Sequence, residues 1–192
     1  KKRKANILYA ETQEDSYISD LKGNIQKENI STCIAAIRQM QKKGWDISEK
    51  NIKDGVKYCT KNTQLFGRWQ KLQDNPTIIC DIAHNIDGIK QIIKQVKEEK
   101  YNKLHFIIGF NKDKAFSKIL KELPQDAEYY FCSAKIERSI HQKDLKQKAK
   151  KYNLFGEEYS SVNSAIRNAK KNAKKNDLIL ISGSTFIVAE II

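Results

Sequence analysis

Two short elements carry the residue types that act on charged ligands. They are Gly67-Arg68-Trp69-Gln70 and Asp81-Ile82-Ala83-His84-Asn85. The second falls where an apolar run, 77–83, gives way to a segment of helical period. An acid, an imidazole and a carboxamide therefore collect at the carboxyl end of an expected strand, the edge where open α/β sheets bind ligands. Arg68 stands thirteen positions before Asp81 and adds an always-charged guanidinium suited to phosphate oxygens. Such a set suits a nucleotide or an acyl phosphate.

Each residue also has a plainer role. A lone arginine usually pairs with a surface acid, but one that follows a glycine in a loop beside an acidic strand end is a phosphate-grip candidate. Asp81 either caps the helix that begins near Asn85 or accepts hydrogen bonds from a ribose, and spacing does not separate the two. Asp81, His84 and Asp87 lie at i, i+3 and i+6, a spacing that rarely converges on a metal without a second cluster. His105 and His141 stand in other elements, which argues against zinc. The segment Ile181-Ser182-Gly183-Ser184-Thr185 lacks the G-x-S-x-G elbow of a serine hydrolase. Gly183 and Ser184 suit a tight strand-to-helix turn whose free amides can hold an anion. Gly109-Phe110-Asn111-Lys112-Asp113-Lys114 occupies the same kind of place after another strand, and the chain contains no P-loop.

The elements that must position these residues divide in two around a polar joint at 60–64. Before it, residues 6–10 read as a short strand and 17–21 alternate as another would. An amphipathic helix carries Ile30, Cys33, Ile34 and Ile37 at i, i+3, i+4 and i+7. A second starts at Ser48, with Ile47 and Ile52 placed as a hydrophobic staple. This thin core reads as the end of a larger domain. After the joint, apolar runs at 77–83, 104–109, 129–134 and 178–182 alternate with helical patterns. That order predicts βαβ crossovers and a mainly parallel sheet with helices on both faces. Pro76 and Pro124 fall between elements.

Composition narrows the class. With 192 residues, 40% hydrophobic and 31% charged, the chain can bury a core. It does not begin with Met, as a processed chain or a fragment would not. The net charge of +13 comes mostly from lysine, since the only arginines are Arg3, Arg38, Arg68, Arg138 and Arg167. The lysines are scattered over the helices among acids with few aromatics between, a pattern of solvated faces and not of nucleic-acid binding. Lys1-Lys2-Arg3-Lys4 looks like a localisation signal, but four basic residues carry little weight. The cysteines, Cys33, Cys59, Cys80 and Cys132, form no CxxC pair and sit in apolar patterns, as buried thiols in a reducing cytosol would. No signal-peptide core is present, and no apolar run nears the roughly 18 residues of a spanning helix. The expectation is a soluble, cytoplasmic chain without membrane contact.

Five segments together resemble the C-terminal part of folylpolyglutamate synthase/dihydrofolate synthase, in the Mur ligase superfamily. They are Leu21-Lys22-Gly23-Asn24-Ile25-Gln26-Lys27-Glu28-Asn29, Gly67-Arg68-Trp69-Gln70, Asp81-Ile82-Ala83-His84-Asn85, Gly109 through Lys114, and Gly183-Ser184-Thr185-Phe186. Their order fits over nearly the whole chain. The resemblance implies a Rossmann-like Mur ligase C-terminal α/β domain at 66–192. Residues 1–65 would be the C-terminal end of the central ATP-binding domain. It implies a monomeric ligase that uses ATP and Mg2+ to join L-glutamate to a folate or dihydropteroate carboxylate through an acyl phosphate. Asn29 would contact adenine, Arg68 the ATP phosphates and Asp81 the ribose. His84 and Ser184 would lie near glutamate and the acyl phosphate, with His84 the catalytic candidate. The phosphate loop, the metal ligands and the pterin pocket would lie outside this chain. Ile86 stands where the family commonly has Pro, a change of first-turn geometry that a helix tolerates; Phe66 replaces another frequent Pro. Arg68, Asp81 and His84 are expected to line a cleft between domains and to be exposed here, serving a ligand and not the core. Two other readings stand beside this one: a stand-alone nucleotide- or anion-binding α/β module, and a basic nucleic-acid-binding protein.

Overall fold

The computed structural model describes residues 7–10, 17–112 and 116–192. Lys1-Lys2-Arg3-Lys4, Asn6, Asp113 and Lys114 lie outside the described residues. The chain divides into two compact units, Lys1–Leu65 and Phe66–Ile192, each described here by itself.

In the first unit, α1 (Gln26–Lys42), α2 (Glu49–Lys57) and α3 (Cys59–Thr63) follow one another. Ser48 caps α2, accepting from Asn51 N while the Asn51 side chain accepts from Ser48 N, a reciprocal box that satisfies two orphan donors. Arg38 Nη2 lies 2.6 Å from Glu49 Oε2 and ties α1 to α2. The Asp20 carboxylate accepts from Thr60 N at 2.9 Å and fastens the incoming chain to α3. The two strands expected at 6–10 and 17–21 do not form: residues 7–10 and 17–21 are irregular. Ile7 and Ile18 are 75% and 78% exposed, so the alternation in these segments has no sheet face to bury against.

The second unit runs β1 (Gln70–Asp74), β2 (Thr77–Cys80), α4 (Ile86–Val96), β3 (Leu104–Ile108), α5 (Phe116–Leu120), β4 (Glu128–Cys132), α6 (Gln142–Lys150), β5 (Gly156–Tyr159), α7 (Val162–Asn172), β6 (Leu178–Ser182) and α8 (Thr185–Ala189). Among the described residues these strands form one six-stranded sheet in the order β1-β2-β6-β3-β4-β5. All pairs are parallel except β1–β2, which is antiparallel. The four apolar runs of the sequence supply the central strands. The two edge strands, β1 and β5, read QKLQD and GEEY. Each is polar because an edge has one partner and much solvent, which is why no apolar run announces it.

Both faces of the sheet are covered, and the strand period of two sorts the side chains between them. Phe106, Ile108, Tyr129 and Phe131 face a core shared with Ile89 of α4, Ile119 of α5 and Leu145 of α6. Ile107, Tyr130, Ile179 and Ile181 face Val162 and Ala165 of α7 and Val188 of α8. Each such large apolar side chain contributes roughly 1.5–3 kcal/mol on burial. β6, last in the chain, inserts between β2 and β3. The crossover through α4 therefore passes over it, and the loops after β2 and β6 meet at the carboxyl edge. Among the described residues no helix is long and apolar enough to cross a membrane. The cysteines are free, but only Cys80 and Cys132 are buried; Cys33 is exposed and Cys59 half-buried, against expectation. Both helical cysteines belong to the first unit, whose core is too thin to cover them.

Candidate active site

The site begins where β2 ends. The expected strand 77–83 stops at Cys80, and the ladder extends one bond further, from Asp81 N to Ile181 O at 3.0 Å. Asp81 then turns the chain with its side chain. Oδ1 accepts from Ala83 N at 2.8 Å, and Oδ2 accepts from Trp69 N at 2.8 Å. One carboxylate thus fixes both its own loop and the loop that carries Arg68. Asn85, not Asp81, caps α4, its side chain accepting from Gly88 N at 2.8 Å. The capping role considered for Asp81 is therefore not the one it has.

The Arg68 loop is wound tightly. Gly67 at φ +74° and Trp69 at φ +50° both occupy the left-handed region on either side of Arg68. A Cβ at Gly67 would lie 2.6 Å from Ile82 Cγ2, so the close approach of the two loops calls for glycine as well as the backbone does. Gly67 O accepts from Ile82 N at 2.9 Å, and Gly67 N donates to Gln70 Oε1 at 2.9 Å. The Trp69 ring is buried in the core and anchors the loop. Arg68 is half-buried and makes no hydrogen bond or ion pair with a described residue. That leaves its guanidinium available to an anion.

Asp81 is only 8% exposed, which corrects the expectation that all three loop residues lie open. Burial pushes its carboxyl above the ordinary range; the two backbone donors and the nearby Arg68 charge pull the other way without overcoming it. Both oxygens keep a second lone pair, so a ligand hydroxyl can still be accepted. His84 is half-buried, and its Nδ1 donates to Ile82 O at 2.9 Å. In that tautomer Nε2 is the ring's acceptor whenever the ring is neutral.

β6 delivers the fourth residue. Ser182 Oγ and Gly183 N both donate to Ala83 O, at 3.2 and 3.1 Å, and lock the β6 exit against the β2 exit. The Gly183 amide is therefore already engaged, contrary to the free-amide anion turn expected there. Gly183 sits at φ +105°, and a Cβ would lie 2.5 Å from Gly109 O. Ser184 is buried, accepts from Phe186 N at 3.3 Å, and donates to Asn111 Oδ1 at 3.4 Å. Asn111 is itself buried and ties this corner to the loop after β3. Arg68, Asp81, His84 and Ser184 thus share the carboxyl edge of one sheet. Asn29 lies in the other unit, on the exposed side of α1, donating to Gln26 Oε1 at 3.1 Å. Among the described residues no group of three or more His, Cys, Asp or Glu side chains could hold a metal ion. Sequence reading named Asn111 only within the segment that follows β3 and did not single it out, because its link to Ser184 spans two loops.

Comparison with known proteins decides the family. The Mur ligase glutamate ligase domain matches residues 67–185, more than half of the chain. The chain belongs to the Mur ligase family. The matched span contains Arg68, Asp81, His84 and Ser184. Within the family, the chain is similar to the dihydrofolate synthase/folylpolyglutamate synthase of Buchnera aphidicola, at 27% identity over 200 residues, covering 99% of this chain and 46% of that protein. The protein of the same name from Bacillus subtilis is 24% identical over 176 residues, covering 90% and 40%. Among solved structures, Escherichia coli FolC in complex with DHPP and ADP matches with a TM-score of 0.72 at 26% identity, covering 85% of this chain and 37% of that one. The Mur ligase chain described here spans less than half the length of each of these relatives.

Proposed function

We propose that this chain is the C-terminal part of an ATP-dependent ligase that joins L-glutamate to a folate or dihydropteroate carboxylate through an acyl phosphate. The observation that carries the proposal is the edge built by β2 and β6, where a half-buried guanidinium, a buried carboxylate, an imidazole and a buried hydroxyl converge. Family membership and the similarity to folate-pathway ligases support it. In this scheme residues 66–192 are the C-terminal domain, and 1–65 are the end of a central ATP-binding domain.

The chemistry asks for three things. ATP must be held, and Arg68 supplies a fork for its phosphates while Asp81 accepts from the ribose; Asn29 contacts the adenine. An oxygen of the folate or dihydropteroate carboxylate takes the γ-phosphoryl group, ADP leaves, and a mixed anhydride results. The amino group of glutamate then attacks the carbonyl carbon, loses a proton, and phosphate departs as the amide forms. Negative charge grows on the carbonyl oxygen during the attack, and fixed donors at the edge stabilise it. His84 and Ser184 stand near glutamate and the acyl phosphate, His84 being the catalytic candidate. Mg2+, when bound, would supply charge neutralisation at the phosphates; among the described residues no group of three or more His, Cys, Asp or Glu side chains could hold it. The enzyme is assigned as a cytoplasmic monomer.

Steady-state kinetics of the intact ligase test these roles. Asp81→Ala should chiefly raise the ATP requirement, and His84→Ala should lower turnover or raise the glutamate requirement. A His84→Ala enzyme with unchanged turnover and unchanged glutamate dependence would remove His84 from the site. A chain that binds ADP but supports no glutamate-dependent reaction in any assembled form would favour the stand-alone nucleotide-binding module.

A further inference from the structure

A second cluster of titratable groups lies at the amino-terminal edge of the second unit's sheet, opposite the candidate site, and the ligase chemistry makes no use of it. Its centre is His105 on β3, buried between β4 and the turn before β6. Nδ1 lies 3.0 Å from the Tyr130 hydroxyl, and Nε2 lies 3.3 Å from Asp177 Oδ2. Glu128 Oε2 stands 3.8 Å from Nδ1, and Lys103 Nζ is 2.5 Å from that same oxygen. The Tyr130 hydroxyl also donates to Glu128 Oε1 at 2.9 Å and accepts from Asn172 Nδ2 of α7 at 3.1 Å. The Tyr159 ring of β5 stacks on Tyr130.

The hydrogen bonds fix where the protons are. Burial works to raise the Glu128 pKa, but the Lys103 ammonium and the Tyr130 hydroxyl outweigh it and hold the carboxyl below its ordinary range. An ionised carboxylate only accepts, so the single Tyr130 proton lies toward Glu128. The phenol oxygen then has only lone pairs to offer Asn172 and His105, and Nδ1 must donate. Asp177 is ionised as well, burial being outweighed by the Lys174 N–H and the His105 ring. Its Oδ2 has no proton to give, so Nε2 must donate too. A neutral imidazole carries one N–H and cannot fill both roles. The charges agree: two carboxylates balance one ammonium and one imidazolium, whereas a neutral ring leaves an uncompensated carboxylate in a buried cluster, a costly arrangement. We infer that His105 is a buried imidazolium whose second proton clamps the amino-terminal edge of the sheet. Asp177 is the corner it grips. Asp177 O accepts from Thr77 N at 3.2 Å, Lys174 N donates to Asp177 Oδ2 at 2.7 Å, and Leu178 N donates to Lys103 O at 3.0 Å. The starts of β2, β3 and β6 meet there, and β2 and β6 lead to Asp81 and Ser184 at their other ends. Raising the pH until the ring yields a proton leaves a bare nitrogen facing either the Tyr130 lone pairs or the Asp177 carboxylate, and the grip is lost. The clamp belongs to the fold and is independent of what the opposite edge binds.

NMR of the nitrogen-labelled chain counts the ring protons directly. The chain has 3 histidines, so the double variant His84→Gln, His141→Gln leaves His105 as its only imidazole. At neutral pH both nitrogens of that ring should show a bonded proton. As the pH is raised the ring should lose one of them, and the Lys174 and Leu178 amides should shift with the same midpoint. Asp177→Asn in this background removes one counter-charge and should leave the ring singly protonated at neutral pH. If that variant loses its dispersed spectrum, Glu128→Gln takes its place with the same expected loss. A bare ring nitrogen at neutral pH in the chain with both carboxylates intact would overturn the inference. So would a ring that keeps both protons in whichever carboxylate variant folds, or a deprotonation that leaves the two amides where they were.

Discussion

Asp81, proposed above as a ribose acceptor, fixes two loops with one carboxylate. Its residue type and place after an apolar run were readable in the sequence. Its partners were not, because Trp69 N comes from a loop that only the left-handed turns at Gly67 and Trp69 bring within 2.8 Å. The consequence is measurable. Asp81→Ala leaves the buried N–H groups of Trp69 and Ala83 without acceptors and should cost about 1–3 kcal/mol in denaturant unfolding. Arg68→Ala removes a side chain that makes no hydrogen bond or ion pair with a described residue and should change stability by less than about 0.5 kcal/mol. Equal losses from the two would mean that Asp81 does not pin the loops. Its pH behaviour has a definite sign too. A carboxyl held above its ordinary range binds its proton more tightly in the folded state, so its contribution favours folding at low pH and is lost as pH rises through the raised value.

At the scale of elements, the central strands were legible because parallel strands buried on both faces are continuous apolar runs. β1 and β5 were not, since QKLQD and GEEY make strands only beside β2 and β4. The alternation at 17–21 misled for the complementary reason, having no strand to pair with. Also hidden from pattern reading is the polar fastening at the amino-terminal edge of the sheet. His105, 1% exposed, sits between the Tyr130 hydroxyl at 3.0 Å and Asp177 Oδ2 at 3.3 Å. Asp177 also accepts from Lys174 N at 2.7 Å. Burial works to raise the Asp177 pKa, but the Lys174 N–H and the His105 ring outweigh it and hold the carboxyl below its ordinary range. The sign is the reverse of that for Asp81: stability is present above the ordinary carboxylate range and lost as pH falls through the depressed value. Asp177→Asn should therefore lower stability at neutral pH and flatten the acid limb of a stability-against-pH curve. An acid limb unchanged in slope would show that other carboxyls set it.

For the whole molecule, the chain covers 46% or less of the relatives with which it was compared, and it lacks a phosphate loop. Incubated with ATP, magnesium, glutamate and dihydropteroate, the chain alone should release no ADP above the blank, since its sequence carries no phosphate loop for the γ-phosphate. Release well above the blank would mean that these 192 residues hold a complete site. The proposed grip on ATP by the carboxyl edge of the second unit depends on Arg68 above all. Glutamate-dependent ADP release by the intact ligase should fall about tenfold to a hundredfold in Arg68→Ala, the loss of one charge-assisted phosphate contact of roughly 1.5–3 kcal/mol, while the unfolding midpoint stays in place. An Arg68→Ala variant that melts early yet keeps full glutamate-dependent activity would contradict it.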